Sequence, residues 1–325
     1  MGKIAVTGGA GFLGSHLVKS LLEKGFELVI IDNFSAGSIE NLRDLGIKQD
    51  CLVGDLREYS FAKSALGGAE MVYHLAAEVG SVIYLHGSNA SELNALQSNL
   101  EIDANVFRSC LENQVKSVIY ASSVSVYPFD EQLGSRRAFK EDDVERRINP
   151  EGGYGWSKFI GEKQLSLMPK ISYGVARIFH AYGENIYLKE DRSQVIGSLI
   201  RKAVRYPEEE FVVWGNGTQR RCFVFITDVL EALFRLQEYV EGGKNLTVNV
   251  GSNEEITIEK LARSVIELSG KDIKMKFDTT KPSGALSRTP DLSFIKKELG
   301  WEPKVGFSKG LERTYEWAAK RLSNA

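Results

Sequence analysis

Tyr154 and Lys158 lie four residues apart in the run Tyr154-Gly155-Trp156-Ser157-Lys158, and a helix places both side chains on one face. A free phenol titrates near ~10 and is a poor base at neutral pH. An ammonium one turn away favours the phenolate and draws that value towards the working range, as removal of a proton from a hydroxyl requires. The same two residues on a helix surface can be inert, so the place of this helix in the fold decides. Hydroxyls accumulate upstream, in Ala121-Ser122-Ser123-Val124-Ser125-Val126-Tyr127-Pro128. Alternation along a strand puts Ser123 and Ser125 on one side, where both can address a substrate without titrating.

Near the N-terminus, Thr7-Gly8-Gly9-Ala10-Gly11-Phe12-Leu13-Gly14 follows a β-branched run and opens an amphipathic one. Glycines at 8 and 11 allow a tight turn and a close approach to a pyrophosphate. Gly14 lets the helix pack on the strand, and the helix N-terminus offers free N–H groups to an anion. Asp32 closes the second strand about 20 residues later, where a carboxylate holds the ribose hydroxyls of an adenine dinucleotide. The same acid repels a 2′-phosphate, so the pattern predicts NAD and not NADP. Strand, turn, helix, second strand and acid in that order separate this from a bare glycine turn. A nicotinamide would add positive charge beside Tyr154. Asp55, in Gly54-Asp55-Leu56, could accept from the adenine amino group or cap a helix. In His74-Leu75-Ala76-Ala77 the small side chains leave the backbone open to the cofactor, while His74 is expected in the core.

Short β-branched runs at residues 3–7, 27–31, 51–54, 71–75, 117–122 and 172–179 alternate with amphipathic stretches. That alternation predicts an α/β fold, a Rossmann-type doubly wound parallel sheet. Leu13, Leu17 and Leu21, with Val18 and Leu22, form one helix face, and Gly25 ends it. A longer helix is expected over 91–113 and another from Tyr154 to about 167. After Gly183 the rhythm changes, with helices expected at 195–206, 257–269 and 311–322 and strands at 211–214 and 245–250. The pattern predicts an NAD-binding domain over 1–180 and a smaller α/β cap, mainly 181–325, with some segments returning to the sheet. No repeat or Gly/Ser linker intervenes, so the cap is built onto the sheet.

The 325 residues are 43% apolar and 26% charged, which excludes a disordered tail, a collagen-like repeat or a disulfide-stapled miniature. With 41 Lys and Arg against 43 Asp and Glu, the chain lacks the charge of a general nucleic-acid or membrane-surface binder. No apolar run approaches the ~18 residues of a spanning helix. The first strand begins at Lys3, leaving no room for a signal peptide, so a cytoplasmic location is expected. Cys51, Cys110 and Cys222 are far apart, and the four histidines show no ligand spacing, so no metal site is expected. The sequons at Asn33, Asn89 and Asn245 are read as chance matches.

The runs TGGAGFLGS, DNFSAG, GDL, HLAA, SSVSVY, YGWSK, RIFHAYG, GNGTQRRCF, NVGS and KKELGWEP together resemble the extended short-chain dehydrogenase/reductases, in particular the NAD-dependent nucleotide-sugar epimerase/dehydratase family. The resemblance spans residues 3 to about 318. It implies a tightly held NAD, a nucleotide-diphosphate sugar gripped between sheet and cap, and transient oxidation of the sugar. It makes Ser123, Tyr154 and Lys158 the catalytic triad, with Asn99 supporting the active-site helix. It assigns cofactor contacts to Gly8, Gly11, Phe12, Leu13, Gly14, Asp32, Asn33, Ser35, Gly37, Asp55, Leu56, Leu75, Ala76 and Ala77, besides Tyr154 and Lys158. Substrate contacts fall on Ser125, His180, Arg221 and Arg288. Two guanidinium forks suit a diphosphate, although Arg288 could instead pair with a nearby acid. Pairing of two copies through helices at 91–113 and 155–167 is also implied.

The residues beside the serine discriminate among reactions of that family. Family 4,6-dehydratases resemble Thr-Asp-Glu where this chain has Ser123-Val124-Ser125, and the decarboxylases carry a glutamate at the Ser125 position. The 3,5-epimerases and GDP-fucose synthases, closest in the Tyr127-Pro128 ending and the cap, use a cysteine there. A lysine partner in the 3,5-epimerases aligns with Gln194, although Lys189 and Arg192 are near. Elimination favours C4 epimerisation of a nucleotide hexose, with 3,5-epimerase, decarboxylase and keto-sugar reductase as alternatives. A non-catalytic NAD sensor or scaffold on the same fold is the rival of another class. His180, Glu184 and Cys222 stand where the family has Asn, Pro and Asp. The charged segment 129–153 is expected to be a solvated lid or a surface loop.

Overall fold

The structure, a computed structural model, describes residues 2–134, 137–281 and 284–323. The chain opens with β1 (Lys3–Thr7), β2 (Leu28–Asp32), β3 (Cys51–Val53), β4 (Ala69–His74) and β5 (Ser117–Ser123). Then come β6 (Ala138–Phe139), β7 (Ser172–Ile178), β8 (Ala181–Tyr182), β9 (Val212–Trp214), β10 (Arg220–Cys222) and β11 (Val224–Phe225). Four more follow, β12 (Leu246–Val250), β13 (Glu255–Thr257), β14 (Lys276–Asp278) and β15 (Ser287–Pro290). The first helices are α1 (Phe12–Glu23), α2 (Ile39–Asp44), α3 (Tyr59–Ala65), α4 (Val82–His86) and α5 (Asn89–Glu112). Next are α6 (Phe129–Gly134), α7 (Asp143–Arg146), α8 (Gly152–Ser166) and α9 (Val195–Arg205). The last four are α10 (Ile226–Glu241), α11 (Ile258–Ser269), α12 (Ser293–Leu299) and α13 (Phe307–Ser323).

The main sheet has seven parallel strands in the order β12-β7-β5-β4-β1-β2-β3. Its strands are apolar on both sides because helices cover both. On one side Leu17, Val18 and Leu21 of α1 meet Leu233 and Leu236 of α10. On the other Ala62, Val106, Phe107 and Leu165, from α3, α5 and α8, close over Val72 and Val118. The chain leaves β1 towards β2 and later returns to its opposite side as β4. The carboxyl ends of β1 and β4 therefore flank a crevice, the position where doubly wound sheets take ligands. β12, although late in the chain, pairs with β7 in register from Leu246 opposite Gly174.

The cap is a mixed sheet, β13-β10-β15-β6, with the short pairs β11–β8 and β14–β9. Among its described residues, segment 129–153 contributes an edge strand and buried apolar side chains to this cap, so it is not wholly a solvated lid or surface loop. β6 pairs with β15, and Phe139 and Val144 are buried. Its charges satisfy one another: Arg137 donates to Glu131 at 2.7 Å and to Asp143 at 2.5 Å, which frees the apolar minority to face inward. The long helix begins two residues before its expected start because the Ser88 side chain accepts from Ser91 N–H at 3.1 Å. Among the described residues, no helix is long and apolar enough to cross a membrane.

Candidate active site

The glycine turn is built for close approach. Gly8 has φ +67°, and a Cβ there would lie 2.9 Å from the Ala76 nitrogen. A Cβ at Gly14 would collide with the Gly8 carbonyl. Asp32 braces the turn from the next strand, its carboxylate accepting from the N–H groups of Ala10 at 2.9 Å and Phe34 at 2.8 Å. Burial pushes the Asp32 carboxyl upward, opposed by those backbone donors. The loop beyond it is shaped by Asn33, which accepts from Ser35 N–H at 3.0 Å, and by Gly37, where a Cβ would lie 2.9 Å from Asp32 Oδ2. Thr7 Oγ1 accepts from the N–H groups of Leu75 and Ala76, each at 3.2 Å. The threonine thus donates its own proton to His74 Nδ1 at 2.8 Å, which leaves His74 Nε2–H to donate to Asp103 at 3.0 Å. Tyr120 completes the buried chain by donating to Asp103 at 2.6 Å. His74 is a core residue, as its place in the sequence predicts.

Asp55 lines the cleft and is paired within the chain. Its carboxylate takes the Arg57 guanidinium at 3.1 and 2.6 Å and the Arg57 N–H at 2.9 Å, and that pairing holds it below the usual carboxylate range. It does not cap α3, whose capping position is Glu58. Asn99 differs from expectation: its side chain accepts from Glu78 N–H at 2.6 Å and donates to Glu78 O at 3.1 Å, clamping the loop after β4 rather than α8.

At the carboxyl end of β5 the strand stops at Ser123, because its hydroxyl accepts from Ser125 N–H at 3.2 Å and starts a short helical turn. Ser123 and Ser125 are therefore not neighbours on one strand face, yet both line the cleft. Tyr154 and Lys158 project from α8 and are buried. Burial raises the pKa of the Tyr154 phenol, and Ser123 opposes that rise. Burial outweighs Ser123 and, with the charges of Asp103 and Glu151, pushes the phenol up to about 12. Lys158 lies over the Tyr120 ring, 4.5 Å from its centroid; burial lowers its pKa, and Asp103 and Glu162 oppose that.

A cationic corner faces these groups from the cap. Arg221 donates to the carbonyls of Arg220 and Ala285, each at 2.8 Å, and is pushed down to about 9 by burial and by Arg288. Arg288 pairs with Glu151, the acid that sequence reasoning passed over, while its Nε has no partner. His180 adopts φ +51°, a region that Asn and His tolerate better than most residues, which fits its place where the family has Asn. Burial and the two arginines hold its ring well below the usual histidine range, so it is neutral, and Nδ1 has no partner. Cys222 is packed in β10, its thiol pushed up to about 12 by burial, and Glu184 pairs with Arg313 at 2.9 Å. Beside the cleft, Arg192 lies 3.2 Å from Glu78 and 4.3 Å from the centre of the Tyr84 ring. The three cysteines are free, and among the described residues no group of three or more His, Cys, Asp or Glu could hold a metal.

One cleft of about 1510 Å³ joins these parts. Gly8, Gly11, Phe12, Leu13, Gly14, Asp32, Asn33, Ser35, Gly37, Asp55, Leu56, Leu75, Ala76 and Ala77 line one end. Ser123, Ser125, Glu151, Tyr154, Lys158, His180, Arg221 and Arg288 line the other. A glycine cradle that a Cβ would fill, beside a braced acid, fits an adenine dinucleotide.

Comparison with known proteins gives the class. Residues 4–251 match the model of the NAD dependent epimerase/dehydratase family, and the chain belongs to that family. It is an enzyme fold of the extended short-chain dehydrogenase/reductase type with NAD as cofactor, which sets aside the non-catalytic sensor. The chain is 28% identical over 323 residues to GDP-mannose 3,5-epimerase 1 of Oryza sativa subsp. japonica, spanning 98% of this chain and 82% of that protein. It is 30% identical to GDP-L-fucose synthase 1 of Arabidopsis thaliana, spanning 99% of this chain and 94% of that one. Among solved structures it resembles the UDP-glucose 4-epimerase of Thermotoga maritima with UDP-glucose, at TM-score 0.85 and 25% identity over 98% of this chain and 99% of that one.

Proposed function

We propose that this enzyme inverts C4 of a nucleotide-diphosphate hexose through a transient 4-keto sugar. The observation that carries the reading is that Ser123, Tyr154 and Lys158 together line the cleft that begins at the glycine turn. When bound, NAD supplies the acceptor and donor of hydride at C4. The chain does the rest. Tyr154 takes the C4 hydroxyl proton and later returns it, while Ser123 orients that hydroxyl. Lys158 is the buried cation one turn along that favours charge on the phenol. Arg221, Arg288 and neutral His180 hold the diphosphate and its neighbouring hydroxyls. The cleft volume leaves room for the keto sugar to turn and present its other face. No net oxidation results. We further propose that two copies pair through α5 and α8, where Leu93, Leu111 and Trp156 are exposed, and that the enzyme is cytoplasmic.

The purified protein with excess NAD is incubated with UDP-, GDP- and dTDP-hexoses. The expected result is one C4-inverted product, with turnover lowered ~10²–10⁴-fold in Tyr154→Phe. No interconversion of any pair, or equal turnover in the variant, refutes the reading.

A further inference from the structure

Glu151 is a buried carboxylate at the reaction centre that C4 inversion leaves unused. It directly precedes α8, three residues before Tyr154, and two bonds lock it to the serine turn. Its N–H donates to the Ser125 carbonyl at 2.8 Å, and the Ser125 hydroxyl donates to Glu151 Oε2 at 3.0 Å. α8 packs so tightly here that a Cβ on Gly155 would collide with that same carbonyl. Both side chains line the cleft, and Glu151 is near enough for its charge to act on the Tyr154 phenol. Arg288 pairs with the same carboxylate oxygen and, against the effect of burial, holds the acid below its usual range. Glu151 is thus anionic at neutral pH. A hydroxyl alone is too weak an acid and base to move carbon-bound protons, but a hydroxyl bonded to a fixed anion can pass one on.

We propose that Ser125 and Glu151 form a proton relay to a carbon adjacent to C4, so that the site exchanges an α-proton of the 4-keto sugar as well as inverting C4. This rests on the 4-keto intermediate of the reading above. The C–H bond at C3 or C5 breaks, and its electron pair forms the carbon–carbon double bond of the enolate. The negative charge moves to the C4 oxygen, beside Ser123 and Tyr154. The proton passes to Ser125 Oγ as the Ser125 proton passes to Glu151 Oε2. Reversal returns a proton to carbon, and no electrons are gained or lost. The alcohol has no acidic C–H, so the relay acts only after oxidation. The acid absent from the serine run is supplied by another element, which elimination on that run alone could not reveal.

The test uses the full-length enzyme with NAD in deuterium oxide and two probes. The first, a dTDP-linked 4-keto-6-deoxyhexose, needs no oxidation; the second is the panel of UDP-, GDP- and dTDP-hexoses. Proton NMR follows the signals of H3 and H5, and absorbance follows NADH. The wild type is expected to deuterate the keto probe far faster than buffer does. Glu151→Gln and Ser125→Ala should each lower that exchange ~100-fold, a general-base effect. The ratio of exchange to NADH formed from the hexoses should fall with it, and Glu151→Asp should restore part of the exchange. Ser125→Ala leaves the Arg288 pair in place and so separates the relay from folding. Wild-type exchange at the buffer rate, or exchange undiminished in both variants, overturns the relay even if hexoses are inverted. Relay-dependent exchange of the keto probe without oxidation of any hexose supports the relay and refutes the C4 reading instead.

Discussion

Burial sets the Tyr154 phenol of the chain without cofactor high, up to about 12. Desolvation dominates a buried phenol, and the lysine's charge is shared with Asp103 and Glu162. The partner that lowers the phenol is Ser123, and this has a consequence for pH dependence. Turnover should rise with pH while the phenol gives up its proton, up to its value in the NAD-loaded enzyme, which the nicotinamide charge brings below about 12. Removing the hydroxyl that opposes burial, in Ser123→Ala, should move that break to higher pH. Profiles of log kcat against pH for both proteins check this, and a break at the same or lower pH contradicts it. Glu151 teaches a related lesson. Its position three residues before Tyr154 was visible, but its role depends on Ser125 and Arg288, which lie far from it in the chain and come together only in the fold.

At the level of elements, two joints hold the site. The first is the glycine turn against α1. Gly14→Ala forces a methyl group into the Gly8 carbonyl, so it should cost about 1–3 kcal/mol of stability. NAD affinity should fall as well, since the turn that faces the pyrophosphate must open. Urea unfolding and NAD titration by fluorescence measure the two losses; a variant with unchanged affinity would contradict this account. The second joint is the chain Thr7–His74–Asp103–Tyr120, which ties β1, β4, α5 and β5. Asp103→Ala leaves His74 Nε2–H and the Tyr120 hydroxyl buried without a partner, at about 1–3 kcal/mol for each group. Urea unfolding should therefore show a loss of roughly 2–6 kcal/mol, whereas a loss below about 1 kcal/mol would mean that water replaces the bonds. Segment 129–153 marks where reading by element reaches its limit. Its charge density resembles a solvated loop, and only the mutual pairing of Arg137, Glu131 and Asp143 lets it enter the cap.

Across the whole molecule, burial raises the phenols of Tyr73, Tyr120, Tyr127, Tyr154 and Tyr182. A group raised on folding contributes stability that is fully present below its unfolded value and is lost as pH climbs towards the folded one. Between about pH 10 and 12 the unfolded chain releases protons that the folded chain keeps, and each phenol then removes up to about 1.4 kcal/mol per pH unit. The thiols of Cys51, Cys110 and Cys222, raised likewise by burial, start this loss at about pH 8.5–9, so unfolding free energy measured in urea should begin to fall about there and fall steeply above 10; a flat profile to pH 11 would contradict it. The doubly wound sheet, the NAD preference and the Tyr154–Lys158 pair were all determined by the sequence. Each rests on local periodicity or on a short spacing that the backbone converts directly into geometry. The tertiary structure alone decided that Arg288 meets Glu151, that Asp55 is engaged by Arg57, and that desolvation sets the state of Tyr154. Those outcomes depend on which distant groups share a buried space and on how much water is excluded from it, and neither quantity is carried by any local run of residues.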